Sequence, residues 1–527
     1  MSETNLRPQL STHLRQRLSA FEEGFRHNLA IIGPPGSGKT FQLQQLLGEH
    51  YSPVSLIYCP VYRESCRSFL YRFLCSLLQS ALGSATGQTL EELLGQAQPN
   101  FPKTVAAIRA IDGLLGRRLF GEAFSRALDV VPIFVSERSR PCVLMLDEFL
   151  FLEELGLGHA FHELGKRVMT WPHTLFILAS SSPYRARQIL RERLQLLFGQ
   201  FELITLEALE ADNTAGWVES ELEGLSGLPE IVPFLMSWLG AYPWYLSVFL
   251  RRLKESALLN QKTELTEALI HETAWDLLGR KEGMLHQWCS SRIERFAQGK
   301  RGSRAVETLI QVADGARTMT ELSRRAGRAA LSDTLQVLVE NDLIQRRGSC
   351  WYVQDPVLRC WLSAIIAAQR TGSVVDARTL RLRFESHLAA LWAAWLQTTR
   401  QSFTERVTRL FASFQDDTIS LDSKTGRLPK FQSIRALATE MHGPETYLVA
   451  EGPGKRWCAT VQEKIVDENA ISRFDAFCRT QTPKPSRKVV VAKSGVDQNA
   501  RLLAKAVNMW VWDPDELNVL LTLYGQP

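Results

Sequence analysis

The sequence predicts an α/β protein built on a doubly wound parallel sheet, with further α/β elements after it. Three observations predict it. Residues 28–32 form a short apolar run that breaks into Gly33-Pro34-Pro35-Gly36-Ser37-Gly38-Lys39-Thr40 and then into a helix-forming stretch, so the pattern G-x-x-x-x-G-K-[ST] is filled in full between a strand and a helix. Residues 142–149, CVLMLDEF, read as a buried strand with Asp147 and Glu148 at its carboxyl end, where open α/β sheets bind their ligands. Around these two, strand-length apolar runs alternate with helical patterns.

Taken in order, residues 11–25 space Leu14, Leu18, Phe21 and Phe25 as a helix before the first strand. A helix over 41–47 follows the glycine-rich loop, then a second buried strand over 53–59 and an apolar helix over 66–82. Residues 61–140 read as a helical insertion, with patches at 90–96, 105–115 and 121–128. Buried strands over 174–179 and 201–206 complete a five-stranded sheet. The loop chemistry follows from the residue types. Gly36 and Gly38 permit a backbone whose N–H groups converge on phosphate oxygens, reinforced by the dipole of the following helix. Lys39 is placed to reach the β- and γ-phosphates of ATP and Thr40 to hold Mg2+. Asp147 is expected in the Mg2+ shell and Glu148 on the attacking water. Ser180, Ser181 and Ser182 end the next strand; the pattern does not decide which senses the γ-phosphate, and Ser180, at the strand tip, is the candidate.

Composition bounds the rest. A chain of 527 residues exceeds one hydrophobic core, so two to four domains are expected. With 45% apolar and 22% charged residues it excludes extensive disorder. A net charge of +5 permits nucleic-acid contact without demanding it. The nine cysteines contain no C-x-x-C pair, which suits a reducing compartment. The amino-terminal stretch is polar, and no window approaches 18 uninterrupted apolar residues, so a soluble cytoplasmic protein away from membranes is expected.

GPPGSGKT, VLMLDEF, FILASSS, LLFGQFELITLEAL and GAYPWYL together resemble AAA+-type ATPases of the archaeal-ATPase group, over about residues 15–362. The resemblance implies a P-loop core over 1–210, a helical lid over 211–298 whose Pro243 packs against nucleotide, and a winged helix-turn-helix over 299–368. In that group an L-[YF]-G-R segment leads into the last strand, and here Gln200 stands in place of the arginine. Arg185, Arg187, Arg191 and Arg193 lie just upstream, at a spacing that equally fits a solvated helix face. Within 299–368, helices are expected near 306–312, 318–326 and 331–343, with a wing over 345–353. Arg324, Arg325, Arg328, Arg346 and Arg347 could meet DNA phosphates, against the commoner use of such a module in protein packing.

Residues 369–380 are the expected linker. A helix over 384–411 follows, then strands over 418–421, 447–450, 456–461, 488–492 and 509–512, with helices over 468–479 and 497–506. This order over 381–527 resembles the restriction-endonuclease-like fold. Such a nuclease needs an acid on one strand and [DE]-x-K on the next, to bind a divalent ion and polarise water. Glu445 stands near the first position, with Tyr447 where the family has Asp; the second is either Thr460-Val461-Gln462 or Gln462-Glu463-Lys464. Glu445, Gln462 and Lys464 therefore read as remnants of a non-cleaving site. The function expected is an ATP-driven switch with a protein partner or a second copy of itself. The alternatives are an ATP-regulated nuclease and a non-hydrolysing adaptor in a mobile-DNA or defence complex.

Overall fold

The computed structural model describes residues 5–49, 53–83, 89–192, 201–209, 211–227, 229–294, 296–297, 299–323, 328–370, 376–421, 424–439 and 445–525. They form two compact units. The first comprises Met1–Glu223, Ala241–Val248 and Glu340–Asp342; the second comprises Gly224–Gly240, Phe249–Val339 and Leu343–Pro527.

In the first unit, β1 (Asn28–Ile32), β2 (Ser55–Pro60), β3 (Cys142–Asp147), β4 (Thr174–Ser180) and β5 (Phe201–Thr205) pair in the order β2-β3-β4-β1-β5, every neighbour parallel. Four of the five strands are apolar because both faces of the sheet are covered, and side chains alternate between the faces with period two. Val143, Met145, Leu175 and Ile177 face Leu14 and Leu18 of α1 (Pro8–Glu22) and Leu43 of α2 (Lys39–Gly48). Leu144, Leu146, Phe176 and Leu178 face the insertion, whose helices Cys66–Leu82, Leu90–Ala97, Pro102–Gly116 and Phe120–Arg138 join them in one core. The insertion is thus one flank of the sheet. β3 stops at Asp147; Glu148 turns into the left-handed region and a 3-10 helix, Phe149–Leu155, begins.

The second unit begins with helices and a two-residue strand pair, β6 (Ser226–Gly227) and β7 (Glu264–Leu265). The helices Gly299–Ala313, Met319–Leu322 and Arg328–Glu340 lead into a hairpin, β8 (Gln345–Arg347) and β9 (Cys350–Tyr352), which lies within the range expected for the wing. Arg324 and Arg325 lie outside the described residues, as do Arg193, Gln200 and residues 371–375 of the expected linker. Past 375, Asp376 caps a long helix, Ala377–Thr399. The single helix expected over 384–411 is two. Ser402 and Glu405 close a capping box that starts a second helix, Phe403–Ala412, because satisfied terminal N–H groups favour a fresh start over a continuous turn.

The carboxyl-terminal strands are β10 (Asp417–Leu421), β11 (Lys424–Leu428), β12 (Ser433–Thr439), β13 (Glu445–Gly452), β14 (Lys455–Gln462), β15 (Arg487–Ala492) and β16 (Trp510–Trp512). β10 and β11 form a hairpin, and the others a sheet ordered β12-β13-β14-β15-β16, antiparallel up to β14 and parallel beyond it. β11, β12 and a last helix, Pro514–Leu523, were not expected from the sequence. Cys350 and Tyr352 of the wing are buried in the same core as Phe411, Trp457 and Trp512. Thr418 O accepts from Ser349 N–H at 2.8 Å, and a Cβ on Gly348 would lie 2.3 Å from that carbonyl. The wing tip is therefore sealed against β10.

Candidate functional site

The site of the first unit lies where β1 and β3 end. Gly33 has no room for a side chain: a Cβ there would sit 2.7 Å from Leu206 O and 2.9 Å from Ser37 Oγ. Gly36 and Gly38 have φ of +77° and +92°, a region glycine enters without steric cost. Gly36 O accepts from Trp244 N–H at 3.2 Å, and Pro243 Cγ lies 3.8 Å from where a Cβ on Gly38 would stand. Pro243 and Trp244, in the segment 241–248 of the same unit, thus rest on the loop. Ser37 is buried, and Pro34 and Pro35 stiffen the turn in front of it.

Lys39 is 3% exposed and donates to Gly33 O at 2.9 Å, Pro34 O at 3.0 Å and Ser37 Oγ at 3.3 Å. Burial lowers its pKa to about 8, against the opposing pull of Glu148 and Asp147. Thr40 Oγ1 donates to Asp147 Oδ2 at 2.7 Å, which joins the loop directly to the end of β3. Tyr58 OH, from the end of β2, donates to the same Oδ2 at 3.0 Å. Asp147 Oδ1 is buried without a hydrogen-bond partner. An orphaned buried carboxylate oxygen costs free energy unless something meets it. Oxygen donors from Thr40 and Asp147 suit a hard divalent cation such as Mg2+, which takes few protein ligands and keeps its waters.

Glu148 has φ +54° and ψ +44°, an uncommon conformation for a non-glycine residue and one that clusters at functional sites. Its Oε2 accepts from Ser181 N–H at 2.9 Å and its Oε1 from Ser181 Oγ–H. Burial raises its pKa, with Lys39 pulling the other way. The serine that meets Glu148 is therefore Ser181. Ser180 is fully buried; its hydroxyl accepts from Ser182 N–H at 3.1 Å and its carbonyl from Gly33 N–H at 3.3 Å. Ser180 ties β4 to the loop, while its neighbour points at the acid.

Tyr58, Trp244 and Arg7 were not singled out in the sequence, and Ser181 was one of three serines its pattern left open. Tyr58 left a trace there, a polar group at the tip of a strand that pairs with the acid-bearing one (Pro60 opposite Asp147). Arg7 donates to Ser37 O at 3.1 Å and to Glu207 O, and nothing in the pattern around it marks that role. Of the upstream arginines, Arg185 is taken by Glu153 at 2.8 Å and Arg187 by Thr205 Oγ1 at 3.3 Å.

At the other end of the chain, Tyr447 is fully buried and stacks on Phe474 and Phe477, 5.6 and 4.3 Å between ring centres. It pairs with Thr460, whose hydroxyl accepts from Gln462 Nε2 at 2.9 Å. Lys464 is exposed in the turn after β14. Glu445 is placed by its backbone at the start of β13, opposite Thr439, and its side chain lies outside the described residues. Among the described residues no group of three His, Cys, Asp or Glu could hold a metal ion.

A five-stranded parallel sheet with a G-x-x-x-x-G-K-T loop after β1 and a buried aspartate closing β3 is the P-loop NTPase fold. In sequence, residues 25–165 match the AAA domain family. Solved structures similar to the chain include the following three. The Walker-type ATPase PABY2304 of Pyrococcus abyssi is 17% identical, with 68% of this chain and 95% of that one covered and a TM-score of 0.46. The Aeropyrum pernix ORC2 protein in its ADPNP–ADP complexes is 15% identical, with 74% and 96% covered and a TM-score of 0.42. The Aeropyrum pernix ORC1 protein in complex with DNA is 14% identical, with 69% and 94% covered and a TM-score of 0.36. No curated protein sequence matches the chain. No helix among the described residues is long and apolar enough to cross a membrane.

Proposed function

We propose that this chain is a Mg2+- and ATP-dependent switch of the AAA type that hydrolyses slowly and passes its nucleotide state to the lid, the winged helix and a carboxyl-terminal binding domain. The observation that carries the reading is the joint between Thr40 Oγ1 and Asp147 Oδ2 at 2.7 Å, with Asp147 Oδ1 buried and unpartnered beside it. Thr40 and, through water, Asp147 are the residues to hold Mg2+, which when bound neutralises charge between the β- and γ-phosphates. Lys39 exchanges its three loop acceptors for phosphate oxygens. Glu148, freed from Ser181, orients the attacking water and takes its proton, a task suited to a carboxylate whose pKa burial has raised.

The carboxyl-terminal domain is proposed as a restriction-endonuclease-like fold that no longer cleaves. Support comes from the strand order β12-β13-β14-β15-β16 and from Tyr447 and Thr460 occupying the positions where metal-binding acids would stand. Without two carboxylates a divalent ion is poorly neutralised. The test is Glu148→Gln: ATP binding by calorimetry stays within about twofold while phosphate release falls by ~10²–10⁴. Hydrolysis at the unaltered rate in Glu148→Gln would overturn the assignment, and Mg2+-dependent plasmid cleavage that disappears in Lys464→Ala would restore the nuclease.

A further inference from the structure

The sheet β12–β16 is polarised in charge from one end to the other. The end where β13 turns into β14 and where β15 starts gathers Lys430, Lys455, Arg456, Lys484, Arg487 and Lys488. Contacts hold these segments together. A Cβ on Gly452, the partner of Lys455, would lie 2.7 Å from Lys430 O. Arg456 donates to Thr482 O at 2.6 Å, and its own carbonyl accepts from Ser486 N–H at 2.7 Å, which brings the 482–488 segment alongside. The carboxylates at this end are Glu451, paired with Arg456, and Asp475, paired with Lys488 at 2.5 Å and Arg479 at 2.6 Å. Lys430 and Lys484 stand exposed.

The opposite end, where β14 and β15 finish and where a nuclease site would lie, carries the reverse sign. Glu463, Asp467, Glu468, Asp497, Asp513 and Asp515 stand there with Lys464, Lys493 and Arg501; Lys493 pairs with Glu463 and Arg501 with Asp513, and the loops after β14 and β15 are joined where Val466 N–H donates to Gly495 O and Asp497 N–H to Val466 O. The aromatic rings at the basic end, Trp457 and Trp510, are buried at 3% and 2% exposure. A surface for single strands needs exposed rings on which bases stack; a cationic surface without them suits the regularly spaced phosphates of a duplex.

We infer that the basic end of this sheet, formed by the β13–β14 turn and the 482–488 segment, binds the phosphate backbone of double-stranded DNA without reading its sequence. The winged-helix hairpin, whose tip is sealed against β10, does not serve this contact, nor does the acidic end. The inference stands apart from the proposed ATPase chemistry, since none of its residues belongs to the nucleotide crevice.

Fluorescence anisotropy of the full chain with a short labelled duplex tests it. Binding should weaken by on the order of 10² between about 50 and 200 mM salt, as about four phosphate contacts require. The double variant Lys455→Glu/Lys484→Glu should lose at least about tenfold in affinity with an unchanged melting temperature, and Lys464→Glu, at the acidic end, should lose nothing. Lack of duplex binding at low salt, equal loss in Lys464→Glu, unchanged affinity in the double variant, or tighter binding to single strands than to duplex would each overturn it.

Discussion

The crevice at the end of β3 and the edge where β13 meets β14 are both places where a strand end could carry acids to a metal, and they have been filled in opposite ways. In the first, Asp147 keeps an oxygen buried with no partner, Glu148 holds a left-handed backbone and Lys39 is buried on carbonyls of its own loop. Each of these costs stability unless a ligand arrives. In the second, Tyr447 stacks between Phe474 and Phe477, Thr460 is satisfied by Gln462, and Lys464 points into solvent. None of these described groups waits for a partner. The first place retains local strain, whereas the second is packed as core.

The contrast is broken most severely by placing an acid in the packed pair of β13 and β14. Tyr447→Asp removes a fully buried aromatic ring and leaves a carboxyl in its place, so urea denaturation should show a loss of about 3–5 kcal/mol in the second unit. A loss under about 1 kcal/mol would mean the edge still tolerates a charged group. The pH dependence of the crevice comes next. With its pKa lowered to about 8, Lys39 loses its proton well before an ordinary lysine at 10.5. ATP affinity should therefore fall by up to about tenfold between pH 7 and 9, while Lys39→Arg, which keeps its charge, loses affinity much less steeply over that range. The sign for stability is the reverse. A lysine depressed in the folded state gives a fold that gains stability as pH rises from about 8 toward 10.5, because the unfolded chain then binds more protons. Affinity and stability of the first unit should thus move in opposite directions across that window. The smallest effect belongs to Tyr58, which shares Asp147 Oδ2 with Thr40. Tyr58→Phe should weaken Mn2+ binding to the ATP-loaded chain, read by electron paramagnetic resonance, by about three- to tenfold, the net worth of one ordinary hydrogen bond, since Thr40 still meets the same oxygen.

Most of the first unit could be read in the sequence because its signals are local. Five strand-length runs gave five strands, and the loop and acidic pair stand where their spacing put them. Arg7 and Trp244 reach the loop from outside the motif, through contacts with Ser37 and Gly36 that no periodicity encodes. Among the three serines only the backbone direction at the end of β4 decides, and it turns Ser181 outward and Ser180 inward. In the second unit β11 escaped notice because Lys424-Thr425-Gly426-Arg427 lacks a run of β-branched residues. That hairpin is held instead by packing: a Cβ on Gly426 would meet Trp510 at 2.6 Å. The break between the two helices near 400 was written in Ser402 and Glu405 and masked by the apolar pattern continuing across it.

Asp147 keeps a buried, unpartnered oxygen for a metal that arrives with ATP. Calorimetry of ATP binding to the native chain and to Asp147→Asn, each with Mg2+ and with EDTA, tests it most directly. Mg2+ should tighten binding by at least about tenfold in the native chain and by less than about twofold in Asp147→Asn, the two chains binding alike in EDTA. Equal tightening by Mg2+ in both would contradict it.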